Sequence, residues 1–184
     1  VPCDTTSPYW QQIPAASESR VELVAGGSER VHSVLQGLLA IRHRADNSDW
    51  VLVHDMARPC ITRGDINKLI SELADHAVGG ILATSVTDTL KTVGSDNIIQ
   101  ATADRSLYRA AQTPQMFRYG LLVKALETML GDGQMPTDEA SAIEYLGEQA
   151  KVVEGRRDNI KITHREDLMI AAAIMSQQET EQCV

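Results

Sequence analysis

Aromatic residues are scarce in this chain of 184 residues, which contains one Phe, two Trp and four Tyr. Aliphatic side chains must therefore form most of the core, and an apolar content of 43% is sufficient for one. Apolar runs long enough to span a bilayer are also lacking, which argues against a membrane partner. The length predicts a single domain over residues 1–184.

Positively charged residues are outnumbered, because the chain has 17 Lys and Arg but 25 Asp and Glu, which gives a net charge of -8. Proteins that bind nucleic acid need a basic surface, so the composition argues against a nucleic-acid partner. Small anionic ligands are still compatible with it, since a few local cations can outweigh a global negative charge.

Cysteine is also rare: Cys3, Cys60 and Cys183 are odd in number and widely spaced, and no CxxC occurs. This pattern is typical of a reducing compartment, so we expect a cytoplasmic protein. For Cys60 we favour a buried structural thiol over a reactive one. Residues 1–8 resemble the exit of a strand and not a secretory signal, so we expect further residues upstream.

Apolar periodicity predicts an α/β fold with a mostly parallel, three-layer sheet. A hairpin of residues 86–93 and 98–103 interrupts the alternation, and we expect it either to project as an arm or to extend the sheet edge. The predicted strands are residues 20–24, 50–53, 81–84, 151–154 and 159–162. Three helices are predicted at residues 29–43, 65–76 and 118–130, and a fourth is predicted to begin at an N-cap, Thr137. The last predicted helix begins with a capping box at residues 163–166. We expect the polar tail from Gln177 to fray.

The segment from Trp50 to Pro59 carries the most chemical information. Four apolar residues without alternation predict a strand buried on both faces, and His54, Asp55 and Arg58 follow it directly. Open α/β sheets bind ligands at the carboxyl ends of their parallel strands. A carboxylate there suits Mg²⁺ and an arginine suits a phosphate. The alternative is a plain strand cap in which Asp55 accepts hydrogen bonds of the turn.

Other polar residues also lie at predicted element ends. Taken together they suit a phosphorylated small molecule and a second phosphate group held by Mg²⁺, although a solvated surface role is the alternative for each alone. His54 is a candidate base, yet no GxSxG, Walker or HExxH motif accompanies it. The set comprises Lys91, Arg105, the predicted rigid loop Thr113-Pro114-Gln115, Thr137, Arg156, Arg157 and Lys161.

Seven motifs occur in an order that resembles the 2-C-methyl-D-erythritol 4-phosphate cytidylyltransferases of the non-mevalonate isoprenoid pathway. The resemblance runs from about Gly26 to Asp167. The motifs are Gly26-Gly-Ser-Glu-Arg30 with Ser33-Val34, Val51 to Pro59, Asp88-Thr89-Leu-Lys91, Asp104-Arg105, Gln112-Thr-Pro-Gln115, Thr137 to Ser141, and Glu154-Gly155 with Asp158 to Lys161.

The resemblance implies a homodimeric, Rossmann-like nucleotidyltransferase that uses CTP and methylerythritol phosphate, with residues 84–107 as the dimerisation arm. It implies that Asp55 binds Mg²⁺. It also implies that Lys161, together with Arg105 of the partner subunit, binds the substrate phosphate. A plant member would be plastidic. The implied nucleotide contacts are Gly27, Ser28, Ser33 and Asp55, and the implied substrate contacts are Arg58, Thr89, Thr113 and Thr137.

Three departures from the family pattern accompany the resemblance. The family's first strand and glycine-rich loop are not in residues 1–184, Ser28 stands where an acid is common, and Met56 replaces a usual alanine. Two alternatives therefore stay open: a related nucleotidyltransferase acting on a sugar or alditol phosphate, and a catalytically inactive dimerisation module.

Overall fold

The computed structural model describes Trp10, Gln12, Ile13 and residues 18–182. Its elements in chain order are α1 (Arg30–Ala40), β1 (Trp50–Val53), α2 (Arg63–Leu73), β2 (Gly79–Ser85), β3 (Lys91–Val93), β4 (Ile99–Thr102), β5 (Arg109–Arg118), α3 (Tyr119–Gly131), α4 (Glu139–Tyr145), β6 (Lys151–Glu154) and α5 (Asp167–Gln182). Helices and strands alternate from α1 to β2 and from α4 to α5, as an α/β fold requires, and the hairpin interrupts the alternation.

The described chain divides into two compact units. The first comprises the chain up to Val53, Ala77–Gly79 and Phe117–Ala150, and the second comprises His54–His76, Gly80–Met116 and the chain from Lys151 onward. One domain over residues 1–184 stays a prediction.

Aliphatic side chains of three helices form the core of the first unit. Helix α3 packs on both α1 and α4, and Leu38, Leu122 and Ile143 are buried between them. The hydroxyl of Tyr119 donates to the carbonyl of Leu38 at 3.1 Å, which ties the start of α3 to α1. The scarcity of aromatics is thus met by aliphatic packing, as the composition predicts.

Strand β2 is the centre of the second unit, where the strand order is β5-β2-β6. Its residues are buried up to Thr84, and it pairs in parallel with β6 in a register that sets Leu82 opposite Val153. The two backbones approach closely at Gly80, where an added Cβ would lie 2.0 Å from the Lys151 carbonyl oxygen. A glycine is therefore needed at this pairing position.

Strands β3 and β4 form a separate antiparallel hairpin, which confirms the predicted one, although its strands are shorter than predicted. Asn97 adopts φ 61° in its turn, a conformation that Asn tolerates better than most residues. Apolar side chains on and beside the hairpin are exposed, namely Val93, Ile98, Ile99, Leu107 and Tyr108.

Three strand predictions were wrong. Residues 20–24 and 159–162 form no strand, because their backbone groups bond elsewhere: Val21 N–H to Glu18 in a turn, and Ile162 N–H to Ala57. Strand β1 has the predicted bounds but is not buried on both faces, since Leu52 is 39% exposed.

The predicted loop at Thr113-Pro114-Gln115 is the middle of the ten-residue strand β5, and its Thr113–Pro114 peptide bond is cis. A proline inside a strand costs one ladder hydrogen bond. The sequence therefore favours a loop at Pro114. The residues from Gln112 to Phe117 are buried in the tertiary structure, and this burial favours a strand.

Two helix starts also differ from the predictions. Asp138, and not Thr137, caps α4, in a reciprocal pair with Ser141. Helix α5 begins at Asp167, whose carboxylate accepts the N–H groups of Thr163 and His164, so residues 163–166 form no capping box. The helix continues to Gln182, past the point at which the tail was expected to fray. Among the described residues, no helix combines the length and apolar character needed to cross a bilayer.

Candidate active site

Asp55 and Lys161 form an ion pair in the second unit, with Lys161 Nζ 3.1 Å from Asp55 Oδ2. Asp55 lies in the turn after β1, which a hydrogen bond from Arg58 N–H to the Asp55 carbonyl closes at 2.9 Å. The Asp55 side chain is 13% exposed and that of Lys161 is 48% exposed. The carboxylate is therefore well shielded, whereas the ammonium reaches solvent.

Thr113 of β5 holds the Asp55 turn from the side. Its hydroxyl accepts the backbone N–H of Asp55 at 3.0 Å and lies 3.0 Å from Nδ1 of His54. The other ring nitrogen of His54, Nε2, lies 3.0 Å from the carbonyl oxygen of Arg58. One threonine and one histidine thus fix the backbone on both sides of Asp55.

Arg58 is directed at backbone carbonyls. Its Nη1 donates to Asn159 O at 2.8 Å and its Nη2 to Ala111 O at 3.2 Å. Burial lowers the pKa of this guanidinium below its ordinary value, and the nearby charge of Asp55 opposes that shift. Arg58 therefore clamps two segments together, and its phosphate-binding role stays a prediction.

Asn159 and Gln112 complete the clamp, and sequence reasoning missed both as site residues. Asn159 is fully buried and donates through Nδ2 to Thr113 O at 2.9 Å. Gln112 donates through Nε2 to Arg156 O at 2.8 Å. These bonds fix the segment that carries Lys161 against β5. The only sequence signal for them was their place inside the motifs of the resemblance.

A second ion pair lies in the same segment. Arg156 donates through Nε and Nη2 to the two carboxylate oxygens of Asp158. The hydrogen bond from Arg156 holds the pKa of Asp158 below its ordinary value, and the same contact raises the pKa of Arg156. Two guanidinium nitrogens of Arg156 are bonded to this carboxylate, whereas Lys161 has a single contact with Asp55, so Arg156 is a poorer candidate than Lys161 for a ligand phosphate.

The predicted nucleotide contacts at residues 27–33 form a local structure in the first unit. Gly27 N–H donates to Ser33 Oγ at 3.0 Å, and Ser28 Oγ lies 3.0 Å from His32 Nδ1. An added Cβ at Gly27 would lie 2.3 Å from the Cβ of His32, so the turn into α1 requires glycine here. The structure brings these three residues together, and their binding role stays a prediction.

Thr137 also belongs to the first unit, beside the start of α4. Its N–H donates to Ser141 Oγ at 3.0 Å. Two residues on, the buried carboxylate of Glu139 accepts both Nη groups of Arg30 at 2.7 and 3.0 Å. Sequence reasoning missed this bidentate pair, which ties the start of α1 to the start of α4.

Thr89 and Arg105 lie in the predicted arm of the second unit. Thr89 is exposed in the segment between β2 and β3. Arg105 begins a short 3₁₀ turn capped by Asp104, and its Nη1 donates to the carbonyl of Thr87. The structure therefore joins Asp55, Lys161 and Thr113 directly, whereas Arg105 bonds within the predicted arm.

Comparison with known proteins assigns the family. The family profile described as IspD: 2-C-methyl-D-erythritol 4-phosphate cytidylyltransferase matches residues 3–177. A 2-C-methyl-D-erythritol 4-phosphate cytidylyltransferase of Pseudomonas putida is 52% identical over 162 residues, which cover 88% of this chain and 69% of that protein.

Solved structures agree with this assignment and with the predicted α/β fold. The Francisella tularensis 2-C-methyl-D-erythritol 4-phosphate cytidylyltransferase is 38% identical with a TM-score of 0.78, covering 86% of this chain and 73% of that one. The Thermus thermophilus enzyme of the same name is 29% identical with a TM-score of 0.73, covering 86% of this chain and 79% of that one. The chain therefore belongs to the IspD family of 2-C-methyl-D-erythritol 4-phosphate cytidylyltransferases.

Proposed function

We propose that the site around Asp55 and Lys161 transfers the cytidylyl group of CTP to 2-C-methyl-D-erythritol 4-phosphate. Membership of the family makes the chain a nucleotidyltransferase of isoprenoid precursor biosynthesis. The observation that carries the assignment to these residues is the Asp55–Lys161 pair, held in place by Thr113, Arg58 and Asn159.

The reaction is an in-line displacement at the α-phosphorus of CTP. An oxygen of the substrate phosphate forms the new P–O bond, the bond to the β-phosphate breaks, and pyrophosphate leaves with its electron pair. A phosphate oxygen is already deprotonated at neutral pH, so no side-chain base is required. Positioning and charge neutralisation carry such chemistry, which agrees with the lack of a catalytic triad in the sequence.

Lys161 supplies a mobile cation for that positioning. Its ammonium is half exposed and has a carboxylate partner, so an arriving phosphate can replace Asp55 as that partner. Lysine binds phosphate as a point charge on a flexible stem. We assign Lys161 to the phosphate of methylerythritol phosphate, with a hydrogen bond donated by Thr89, and we propose that Thr113 accepts a hydrogen bond from a hydroxyl of that substrate.

Asp55 would hold Mg²⁺. Within the described residues, no three His, Cys, Asp or Glu side chains converge as a complete metal site. Mg²⁺ commonly takes only one or two carboxylates together with substrate phosphates, so the single shielded carboxylate of Asp55 fits it. When bound, Mg²⁺ neutralises charge on the triphosphate.

The arm of residues 84–107 is proposed to form a homodimer. Five exposed apolar side chains on and beside it, from Val93 to Tyr108, support a partner surface. In that dimer Arg105 reaches the partner's substrate phosphate. We also propose that Gly27, Ser28 and Ser33 contact the cytidine side of the nucleotide and that Thr137 forms a hydrogen bond with the substrate. The proposed location is the cytoplasm, or the plastid if the protein comes from a plant.

The test is pyrophosphate release from CTP, with methylerythritol phosphate and Mg²⁺, each omitted in turn. Release that requires all three, with a product of the mass of the cytidylyl diester, supports the proposal. Equal or faster release with another alditol or sugar phosphate overturns the acceptor. A dimer without Mg²⁺-dependent CTP binding overturns the catalytic assignment. Asp55→Asn should abolish the Mg²⁺-dependent release, and Asp75→Asn, at an exposed carboxylate, is its matched control.

A further inference from the structure

Both ring nitrogens of His54 have partners, and those partners determine where the ring proton lies. Nε2 faces the carbonyl oxygen of Arg58 at 3.0 Å. A carbonyl oxygen can only accept, so Nε2 carries the proton and donates it. In the neutral ring Nδ1 is then an acceptor, and its 3.0 Å contact with Thr113 Oγ1 is a hydrogen bond donated by the hydroxyl.

The orientation of the Thr113 hydroxyl follows from this. A hydroxyl has one proton and two lone pairs. With the proton directed at His54, a lone pair remains for the backbone N–H of Asp55, which it accepts at 3.0 Å. A directed chain of hydrogen bonds therefore runs from Asp55 N–H to Thr113, to His54 and to the Arg58 carbonyl, across the turn that presents the Asp55 carboxylate.

We propose that His54 is a positioning residue for cytidylyl transfer: it orients the Thr113 hydroxyl and thereby fixes the backbone of Asp55. The inference rests on the proposed function of Asp55. A base role, which the sequence left open, does not fit the geometry, because neither ring nitrogen is available to a substrate proton. His54 acts through Asp55, so its loss lowers kcat.

Two substitutions at His54 separate its two bonds. The amide of Asn stands close to the position of Nδ1, so His54→Asn retains an acceptor for Thr113. The amide of Gln reaches the position of Nε2, so His54→Gln retains only the bond to Arg58. We expect His54→Gln to lower kcat about tenfold, the effect of one lost hydrogen bond at a catalytic position, and His54→Asn to remain within about threefold of the wild type.

Thr113→Val completes a double-mutant cycle with His54→Gln, because it removes the hydroxyl and keeps the shape of the side chain. His54→Gln should have no further effect on kcat in the Thr113→Val background. His43→Gln is the matched control, since His43 is an exposed histidine whose ring also contacts a backbone carbonyl. Thermal midpoints of the His54 and His43 variants should match that of the wild type, because both histidines are exposed.

A spectroscopic measurement tests the network without activity. Nitrogen-15 spectra of the His54 ring should show the tautomer protonated at Nε2, and the Asp55 amide resonance should shift further in His54→Gln than in His54→Asn. An Nδ1–H tautomer overturns the proposal, and so do equal kcat values for His54→Gln and His54→Asn in an active protein. A wild type that releases no pyrophosphate overturns the proposed function instead.

Discussion

Lys161 Nζ lies 3.1 Å from Asp55 Oδ2, and this contact joins two motifs that are far apart in the chain. Neither side chain is held by this pair alone. The Asp55 backbone is bonded to Thr113, and Asn159, two residues before Lys161, is bonded to both Thr113 and Arg58. The backbone on both sides is therefore set before a ligand arrives, while the half-exposed lysine stem can move.

Removal of the Lys161 ammonium tests its role at the substrate phosphate. Lys161→Ala should lower kcat/KM for methylerythritol phosphate about 30-fold, because hydrogen bonds to charged groups contribute roughly 1.5–3 kcal/mol. The KM for CTP should change less than about threefold. Steady-state kinetics with each substrate varied in turn measures both values.

Lys124→Ala is the matched control for Lys161→Ala, because Lys124 is an exposed lysine on α3. It should leave both constants unchanged. If Lys161→Ala also leaves both constants unchanged, or weakens CTP binding more than use of the acceptor, the assignment to the substrate phosphate is wrong.

Arg105 is expected to act across the proposed dimer. Arg105→Ala should impair use of methylerythritol phosphate more than CTP binding. Co-expression of Arg105→Ala and Lys161→Ala chains with different tags then restores activity, because each mixed dimer has one site free of both changes. At random pairing about a quarter of all sites are intact, so we expect about a quarter of the wild-type kcat.

Arg109→Ala is the control for Arg105→Ala, since Arg109 is an exposed arginine of the same segment that donates to Ser106 O and Tyr108 O. Mixed dimers that remain as inactive as the parents would place Arg105 at its own subunit's site, or confine it to the bond with Thr87.

Local sequence patterns predicted a large part of the fold. The strands Trp50–Val53 and Lys151–Glu154 have the predicted bounds, and the hairpin and three helices lie within a few residues of theirs. These elements have strong apolar periodicity or clear turn residues. Strand β5 was missed because its signal is not local: Pro114 argues against a strand, and only burial by neighbouring elements reveals one.

Sequence reasoning singled out charged and hydroxyl residues of the candidate site and missed its two amide residues. Asp55, Arg58, Thr113 and Lys161 stood out because cations, acids and hydroxyls at element ends suggest ligands. Asn159 has no such signal, since its importance comes from full burial and contacts with distant residues. The bonds of Arg58 to two carbonyls likewise depend on segments that sequence alone does not bring together.

The Arg30–Glu139 pair should stabilise the first unit. The Glu139 side chain is 1% exposed and the Arg30 side chain 37%, so Arg30→Met leaves a buried carboxylate without its partner. Breaking a buried pair costs about 3–5 kcal/mol, and partial exposure of the arginine reduces this to roughly 2–4 kcal/mol. Urea denaturation measures the change in the free energy of unfolding.

Two further variants make that measurement specific. Arg30→Met with Glu139→Met should recover much of the loss, because no unpaired charge remains. Arg20→Met removes an exposed pair with Glu18 and should change the free energy of unfolding by less than about 0.5 kcal/mol. A loss for Arg30→Met as small as that for Arg20→Met would show that Glu139 is not stabilised by Arg30.

Cys60 should be inert in the native protein. It is fully buried, and Gln178 Nε2 donates to its carbonyl at 2.9 Å. Burial raises the pKa of its thiol, and the charge of Asp158 adds to that shift. The thiolate is the reactive form, so iodoacetamide at pH 8 should leave the Cys60 peptide unmodified until urea unfolds the protein, as mass spectrometry of that peptide can show.

The same raised pKa gives the direction of a pH effect on stability. An unfolded thiol ionises near pH 8.5, whereas the buried thiol of Cys60 keeps its proton to higher pH. The neutral thiol's contribution is therefore complete below about pH 8.5 and declines as the pH rises above it. Cys60→Ala lacks this dependence, so its difference in unfolding free energy from the wild type should shrink between about pH 8 and pH 10. A constant difference over that range would mean that burial does not shift the thiol.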